Sequence, residues 1–364
     1  MVFTYAMLYQ AWRDTVAVNS TEPNRARYKY YLEENLYSLA ERLENGTFEP
    51  SPMRLKTIYY PKLRTAQVPS LEDKIVQHAI CDNCFYDAAT KPLIKETSAC
   101  VRGRGNLYAS WILKEQMHRY YRKHGKMPYF LKCDIHHYFA SIPHDRVYML
   151  LDRYVEDEEV KNIMRKFIGM TDIGLPLGLQ QSQLLANLYL SEMDHRIKEV
   201  LRAEFYGRYM DDFYIMHHDP DYLRSCLAYI DGYVQSIGLT LNPKTEIHRG
   251  NMDYLGFNYH LTDTGKVIQR LVKSKRNTKR RQLKKMLRDL AENKITAEEF
   301  AASYLGWRAH ALQGDCYALV AAWDDWLRGE LKKIGYHMIA TKGRIWIHAT
   351  GNHNAGCRDE RMGG

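Results

Sequence analysis

Three aspartates carry the chemistry that this sequence can do: Asp134, Asp211 and Asp212. Asp134 ends an apolar run, Tyr129 to Cys133, that reads as a short strand. Asp211 and Asp212 sit in a turn between two further apolar runs, Tyr206 to Tyr209 and Phe213 to Met216. Adjacent carboxylates in apolar surroundings repel each other unless a cation compensates. Hard divalent ions take carboxylate oxygens and complete their shell with phosphate and water. Two such ions suit nucleotide transfer from a triphosphate, one activating the attacking hydroxyl and one neutralising the leaving pyrophosphate. Alone, the Asp211-Asp212 pair reads more simply as a hairpin turn. Its surroundings decide.

The segment Arg208-Tyr209-Met210-Asp211-Asp212-Phe213 resembles the signature of reverse transcriptases, and its neighbours match in that family's order. The run from Tyr129 through Asp134 to Phe139 and Ile142 resembles the first catalytic-aspartate motif. Gly174-Leu175-Pro176-Leu177-Gly178, leading to Ser182, is similar to the loop and helix that position template and incoming nucleotide. Leu241-Asn242-Pro243-Lys244-Thr245 and Tyr254-Leu255-Gly256-Phe257 resemble the next two motifs. Upstream, Lys62-Leu63-Arg64 through Val68-Pro69 and Asp73 to Gln77 is similar to the fingers motif of group-II-intron-like enzymes. The resemblance covers about residues 53 to 313. It implies an α+β right-hand polymerase: an N-terminal helical extension (1–52), fingers (53–128), a palm (129–268) interrupted by a fingers segment at about 143–172, a helical thumb (269–335) and a C-terminal tail (336–364).

The resemblance also implies roles. Asp134 and Asp211 would ligate two Mg2+ ions, with Mn2+ as a substitute, assisted by Asp212 and the backbone carbonyl of Ile135. Phe139 would stand against the sugar's 2′ position and exclude ribonucleotides by size; a core phenylalanine is the alternative. Lys62 and Arg64 would grip the triphosphate. Arg102 and Arg104 are candidates for triphosphate or template backbone, or a solvated basic loop. Lys244 is a candidate general acid at the pyrophosphate, or a surface lysine.

Two departures bear on the subfamily. The template loop has Leu177 before Gly178 where most relatives carry glutamine, and Ser182-Gln183 where they carry Ser-Pro. Both resemble enzymes of bacterial diversity-generating retroelements, although Leu179 and Gln181 differ from the Asn and Thr usual there. Leu177 cannot hydrogen-bond to a template or substrate, which implies looser discrimination of the nascent pair. Partners implied are a structured template RNA, its RNA–DNA hybrid, dNTPs and a small basic accessory protein. An antiphage defence enzyme copying its own non-coding RNA is the competing biology, and a non-catalytic RNA-binding scaffold is the reading from another class. The residues after 335 leave no room for an RNase H domain or a fused integrase, so integration is expected to need partners.

Elements must hold these residues in place. Helices are expected over the first fifty residues, over Leu71 to about Ala89, Leu107 to Arg122, His144 to Ile168 and Tyr222 to Ile237. A long helix opens at Ser182, its stripe of Leu185, Tyr189, Met193 and Ile197 recurring every four residues. Met53 to Tyr60 alternates as a strand, Tyr254 to His260 reads as another, and a further one begins at Thr240-Leu241. The pattern turns all-helical after Lys273, which places a boundary near residue 270. Met338 to Ala340 and Ile345 to Ile347 read as a hairpin in the last thirty residues.

Composition agrees. Lys and Arg exceed Asp and Glu by nine, 52 − 43, which favours a polyanionic partner. Ten basic residues and no acid lie between Arg270 and Arg288. Among them Lys275, Arg276, Lys279, Arg280, Lys284 and Arg288 are candidates to track phosphates. No run of about 18 apolar residues appears, so no transmembrane helix is expected, and with no secretory signal the protein is expected in the cytoplasm, away from membranes. Seven scattered cysteines read as thiols rather than disulfides or a zinc site, including Cys81 and Cys84. His348, His353 and Cys357 read as a polar tail rather than a metal site.

Overall fold

Local chemistry accounts for the elements that matter to the site, in a computed structural model that describes residues 3–17, 23–58, 64–341 and 343–350. The strands β1 (Arg54–Ile58) and β2 (Arg64–Val68) pair antiparallel. Ser70 then opens the helix Leu71–Ile80 with a reciprocal cap: its hydroxyl accepts from the Asp73 N–H, and the Asp73 carboxylate accepts from the Ser70 N–H. The helix expected to continue to Ala89 passes through a π-helical turn at Cys81–Phe85 before Tyr86–Thr90.

The sheet that carries the aspartates has four strands, β3 (Tyr129–Cys133), β4 (Phe205–Tyr209), β5 (Asp212–His217) and β6 (Glu246–Arg249). Their order is β4-β5-β3-β6, all antiparallel. β3 is a central strand, and its Phe130, Leu131 and Cys133 are buried. The stripe Leu185, Tyr189, Met193 and Ile197 is buried as its spacing requires. Its helix is nevertheless two, Gln180–Tyr189 and Ser191–Glu199, because Leu190 takes a non-helical ψ of 2°. The helices Asn106–His124 and Pro220–Ser236 match their expected spans to within a few residues.

Two compact units divide at Arg249 and Gly250, earlier than the expected boundary near 270. The reason is a separate three-stranded sheet of β7 (Asn251–Tyr254), β8 (Phe257–Leu261) and β9 (Val267–Leu271). It belongs with the helices that follow: the Asp315 N–H donates to the Gln269 carbonyl at 2.6 Å, and the Gln269 N–H to the Asp315 carboxylate at 2.8 Å. The single strand expected over Tyr254 to His260 is a hairpin instead. Leu255 and Gly256 both take positive φ, 50° and 88°, which reverses the chain.

The second unit continues with helices Lys273–Ala291, Ala297–Ala311 and Tyr317–Lys333. β10 (Tyr336–Ala340) and β11 (Ile345–Ala349) form the expected hairpin. Met338, Ile345 and Ile347 are buried in one core with Leu283, Leu287 and Leu327, so the segment read as a tail is folded as far as residue 349. His348 lies on β11; His353 and Cys357 fall outside the described residues. Among the described residues no helix is long and apolar enough to cross a membrane.

Candidate active site

Sheet register brings the aspartates together. Cys133 pairs with Phe213, so Asp134, one residue on, comes alongside Asp212, the first residue of β5. The chain beyond Asp134 stays extended by bridging Ile135 to Leu241. The Asn242 N–H donates to the Asp134 carbonyl at 2.7 Å, and Asn242 Nδ2 to Asp134 Oδ2 at 3.0 Å. Asn242 Oδ1 in turn accepts from the Lys244 N–H at 3.1 Å, while the Lys244 side chain is exposed. Asn242 thus orients the Asp134 carboxylate, a role the sequence reading gave no residue.

Asp211 follows Met210, whose φ of 56° is left-handed. A non-glycine residue there is strained and must be held. Arg208, fully buried, holds it: Nη1 donates to the Met210 carbonyl at 3.0 Å and to Asn187 Oδ1 at 2.9 Å. The rest of the guanidinium is bidentate on buried Asp194, at 2.7 Å from Nε and 2.6 Å from Nη2. Tyr206 and Thr97 hydroxyls complete the Asp194 shell at 2.5 and 2.8 Å. Such a buried pair persists only when every polar atom is satisfied.

Burial is the chief cause that raises the pKa of Asp211 to about 6, with the Asp134 charge and carboxyl adding to it. Burial likewise raises Asp212 to about 7, opposed by Lys132, whose Nζ stands 3.6 Å from Asp212 Oδ2. Asp212 Oδ1 is enclosed with no hydrogen-bond partner. Among the described residues, no three His, Cys, Asp or Glu side chains are arranged as a ready-made ion cage. An all-carboxylate donor set with an orphaned oxygen fits a hard divalent cation that takes one or two protein carboxylates and completes its shell from substrate phosphate.

A profile described as "Reverse transcriptase (RNA-dependent DNA polymerase)" matches residues 56–259, more than half of the chain. The chain belongs to the reverse transcriptase family. It is similar to the group II intron-encoded protein LtrA of Lactococcus lactis subsp. cremoris, 25% identical over 177 residues that cover 45% of this chain and 28% of LtrA. It is likewise similar to the retron Ec73 reverse transcriptase of Escherichia coli, 25% identical over 166 residues, 42% of this chain and 49% of the relative. The match thus spans less than half the length of either relative. Among solved structures, apo telomerase from Candida tropicalis aligns with a TM-score of 0.45 and 13% identity, covering 63% of this chain and 58% of that one.

The other expected positions are placed on neighbouring segments of the first unit. Half-buried Phe139 lies in the short helix Tyr138–Ser141, and its carbonyl accepts from the Leu175 N–H at 2.7 Å, which links it to the loop from Gly174 to Gly178. A Cβ on Gly174 would fall 2.5 Å from that same carbonyl oxygen. Leu177 is 47% exposed, Gly178 has a φ of 101°, and exposed Gln183 accepts from the Cys100 thiol at 3.4 Å. Arg64 opens β2, and Lys62 lies outside the described residues.

Several expected contacts are spent within the protein. Half-buried Arg104 staples its own loop, with Nη1 donating to the Ile94 and Thr97 carbonyls at 2.8 and 2.7 Å. Arg102 pairs with Asp82 at 2.8 Å and lies 4.0 Å over the Tyr86 ring, with its side chain still exposed. In the second unit Lys279 is buried: Nζ donates to the Ser303 carbonyl and hydroxyl at 2.9 and 3.0 Å, and burial lowers its pKa to about 8. It cannot track phosphate, because it stands on the same helix face as buried Leu283, Leu287 and Leu290. Lys275, Arg280, Lys284 and Arg288 are exposed, Arg280 lies 5.1 Å over Trp326, and Arg276 is half-buried. Buried Cys81 lies in the π-helical turn, where burial pushes its thiol up.

Proposed function

We propose that the protein is an RNA-directed DNA polymerase that extends a DNA strand along an RNA template. The observation that carries this reading is the register-driven approach of Asp134 to Asp212 and the clamped Asp211, with an orphaned carboxylate oxygen between apolar strands. Asp134 and Asp211 would hold two Mg2+ ions, with Asp212 and the Ile135 carbonyl assisting. When bound, the ions would supply the activated 3′ hydroxyl and the neutralised pyrophosphate. Asn242 fixes the Asp134 carboxylate, and Arg208 fixes the turn that presents Asp211.

Phe139 would exclude a 2′ hydroxyl, favouring dNTPs, and Lys244, exposed beside Asn242, would meet the departing pyrophosphate. Lys62, Arg64 and Arg102 are the cations proposed for the triphosphate. The exposed face of the helix Lys273–Ala291, with Lys275, Arg280, Lys284 and Arg288, would follow the hybrid backbone. Leu177 and Gln183 favour a diversity-generating retroelement with low-fidelity copying, a structured template RNA and a small basic accessory protein. Primer extension on RNA with magnesium tests the activity. Sequencing the product of wild type and of Leu177→Gln tests the fidelity, and identical error spectra would remove that part of the reading.

A further inference from the structure

The template loop is held where it enters the helix Gln180–Tyr189 by two glutamines from the segment that precedes it in sequence. The Gln180 N–H, first in that helix, donates to Gln77 Oε1 at 2.9 Å. Three residues earlier the Leu177 N–H donates to Gln67 Oε1 at 3.1 Å. The backbones touch as well: a Cβ on Gly178 would lie 2.3 Å from the Gln67 carbonyl oxygen. The two glutamines differ in what remains to them. Gln77 is 2% exposed and can only hold the loop, whereas Gln67 is half-exposed at the end of β2. With Oε1 engaged on the loop, the hydrogens of Gln67 Nε2 are what that amide can offer a ligand. Leu177 beside it is exposed and apolar and can offer none.

We propose that Gln67 supplies, from across the loop, the amide that position 177 lacks, and that its Nε2 donates to a base-edge acceptor of the nascent pair. Gln67 is then a specificity-determining residue, and Leu177 serves it by aligning a backbone N–H. The proposal rests on the polymerase reading above. A neutral hydrogen bond of this kind changes binding by about three- to tenfold.

The test is single-nucleotide incorporation on a defined RNA template and DNA primer with Mg2+, comparing wild type, Gln67→Glu and Gln67→Leu. Gln67→Glu keeps an oxygen for the Leu177 N–H and removes the donors; Gln67→Leu removes both. The expected result is that both variants raise the KM of the correct dNTP by about three- to tenfold with kcat little changed. The double variant Gln67→Leu, Leu177→Gln should recover part of the loss. A Gln67→Glu enzyme that matches wild type would reduce Gln67 to a loop clasp and overturn the proposal, and so would wild-type behaviour of both variants. Absence of extension by wild type would overturn the polymerase reading itself, and this inference with it.

Discussion

Arg208 and Asp194 form a bidentate pair with no solvent exposure on either side chain, 2.6 Å at its shorter contact, directly behind the turn that carries Asp211. The pair connects the helix Ser191–Glu199 to β4, and through Nη1 it reaches the strained Met210 carbonyl. Arg208 also joins the segment from Glu96 to Ser98 at its backbone: its N–H donates to the Glu96 carbonyl at 3.1 Å, and its carbonyl accepts from the Ser98 N–H at 3.0 Å. One residue therefore ties the turn that carries Asp211 to two other parts of the unit.

Removing one partner should cost more than removing a surface ion pair. Arg208→Met leaves Asp194 charged and buried, and unfolding in denaturant should show a loss of about 3–5 kcal/mol. Arg208→Lys restores charge but not the fork. It should recover part of the stability while extension stays at least about tenfold down, because the Met210 carbonyl loses its donor. Equal stability of wild type and Arg208→Met would contradict the buried pairing.

Stability should depend on pH and magnesium together. Asp211 and Asp212 are raised to about 6 and 7 in the folded protein, against about 4 when unfolded. The folded state thus holds more protons between about pH 4 and 7, and the stability these groups contribute is lost as pH rises through that window. A divalent cation binds the ionised form, so the rise in Tm on adding Mg2+ should be larger at pH 8 than at pH 5.5. Thermal melts with Mg2+ and with chelator at both pH values read this directly. A magnesium shift independent of pH would count against these carboxylates as ligands.

The basic helix should divide into working and structural cations. Lys284→Ala or Arg288→Ala should each weaken binding to an RNA–DNA hybrid and lower the slope of log K against log salt by about 1. Lys279→Met should leave that slope unchanged, because Nζ is committed to Ser303. Anisotropy titrations at several salt concentrations separate the two. A Lys279 effect as large as that of Lys284 would mean that the buried contact opens on binding.

Sugar choice should follow Phe139. Phe139→Ala should raise incorporation of ribonucleotides relative to dNTPs by at least about tenfold, since a steric gate acts by excluding volume. Competition assays with dCTP and CTP measure the ratio, and an unchanged ratio would make Phe139 a packing residue.

What was legible in the sequence follows the range of the interaction. The strand ending at Asp134 and the turn at Asp211 are local patterns, and both stand where the apolar runs placed them. Asn242 on Asp134 and Asp194 on Arg208 join residues far apart in sequence, and no spacing rule reports such a pair. Lys279 is a different case. Counting charge made it a phosphate contact, yet its four-residue spacing to Leu283 and Leu287 already put it on the buried face. The hairpin at Leu255-Gly256 was hidden because Tyr254, Leu255, Phe257 and Tyr259 read as one apolar segment, although the buried set shifts from Met252 and Tyr254 before the turn to Phe257, Tyr259 and Leu261 after it.

The most direct test of the aspartate site is single-nucleotide extension of a DNA primer on an RNA template in Mg2+, wild type beside Asp211→Asn. Wild type should extend, and Asp211→Asn, folded to the same Tm at low pH, should fall by at least about a thousandfold. Extension by Asp211→Asn at the wild-type rate, or none by wild type with its RNA and partner supplied, would contradict the assignment.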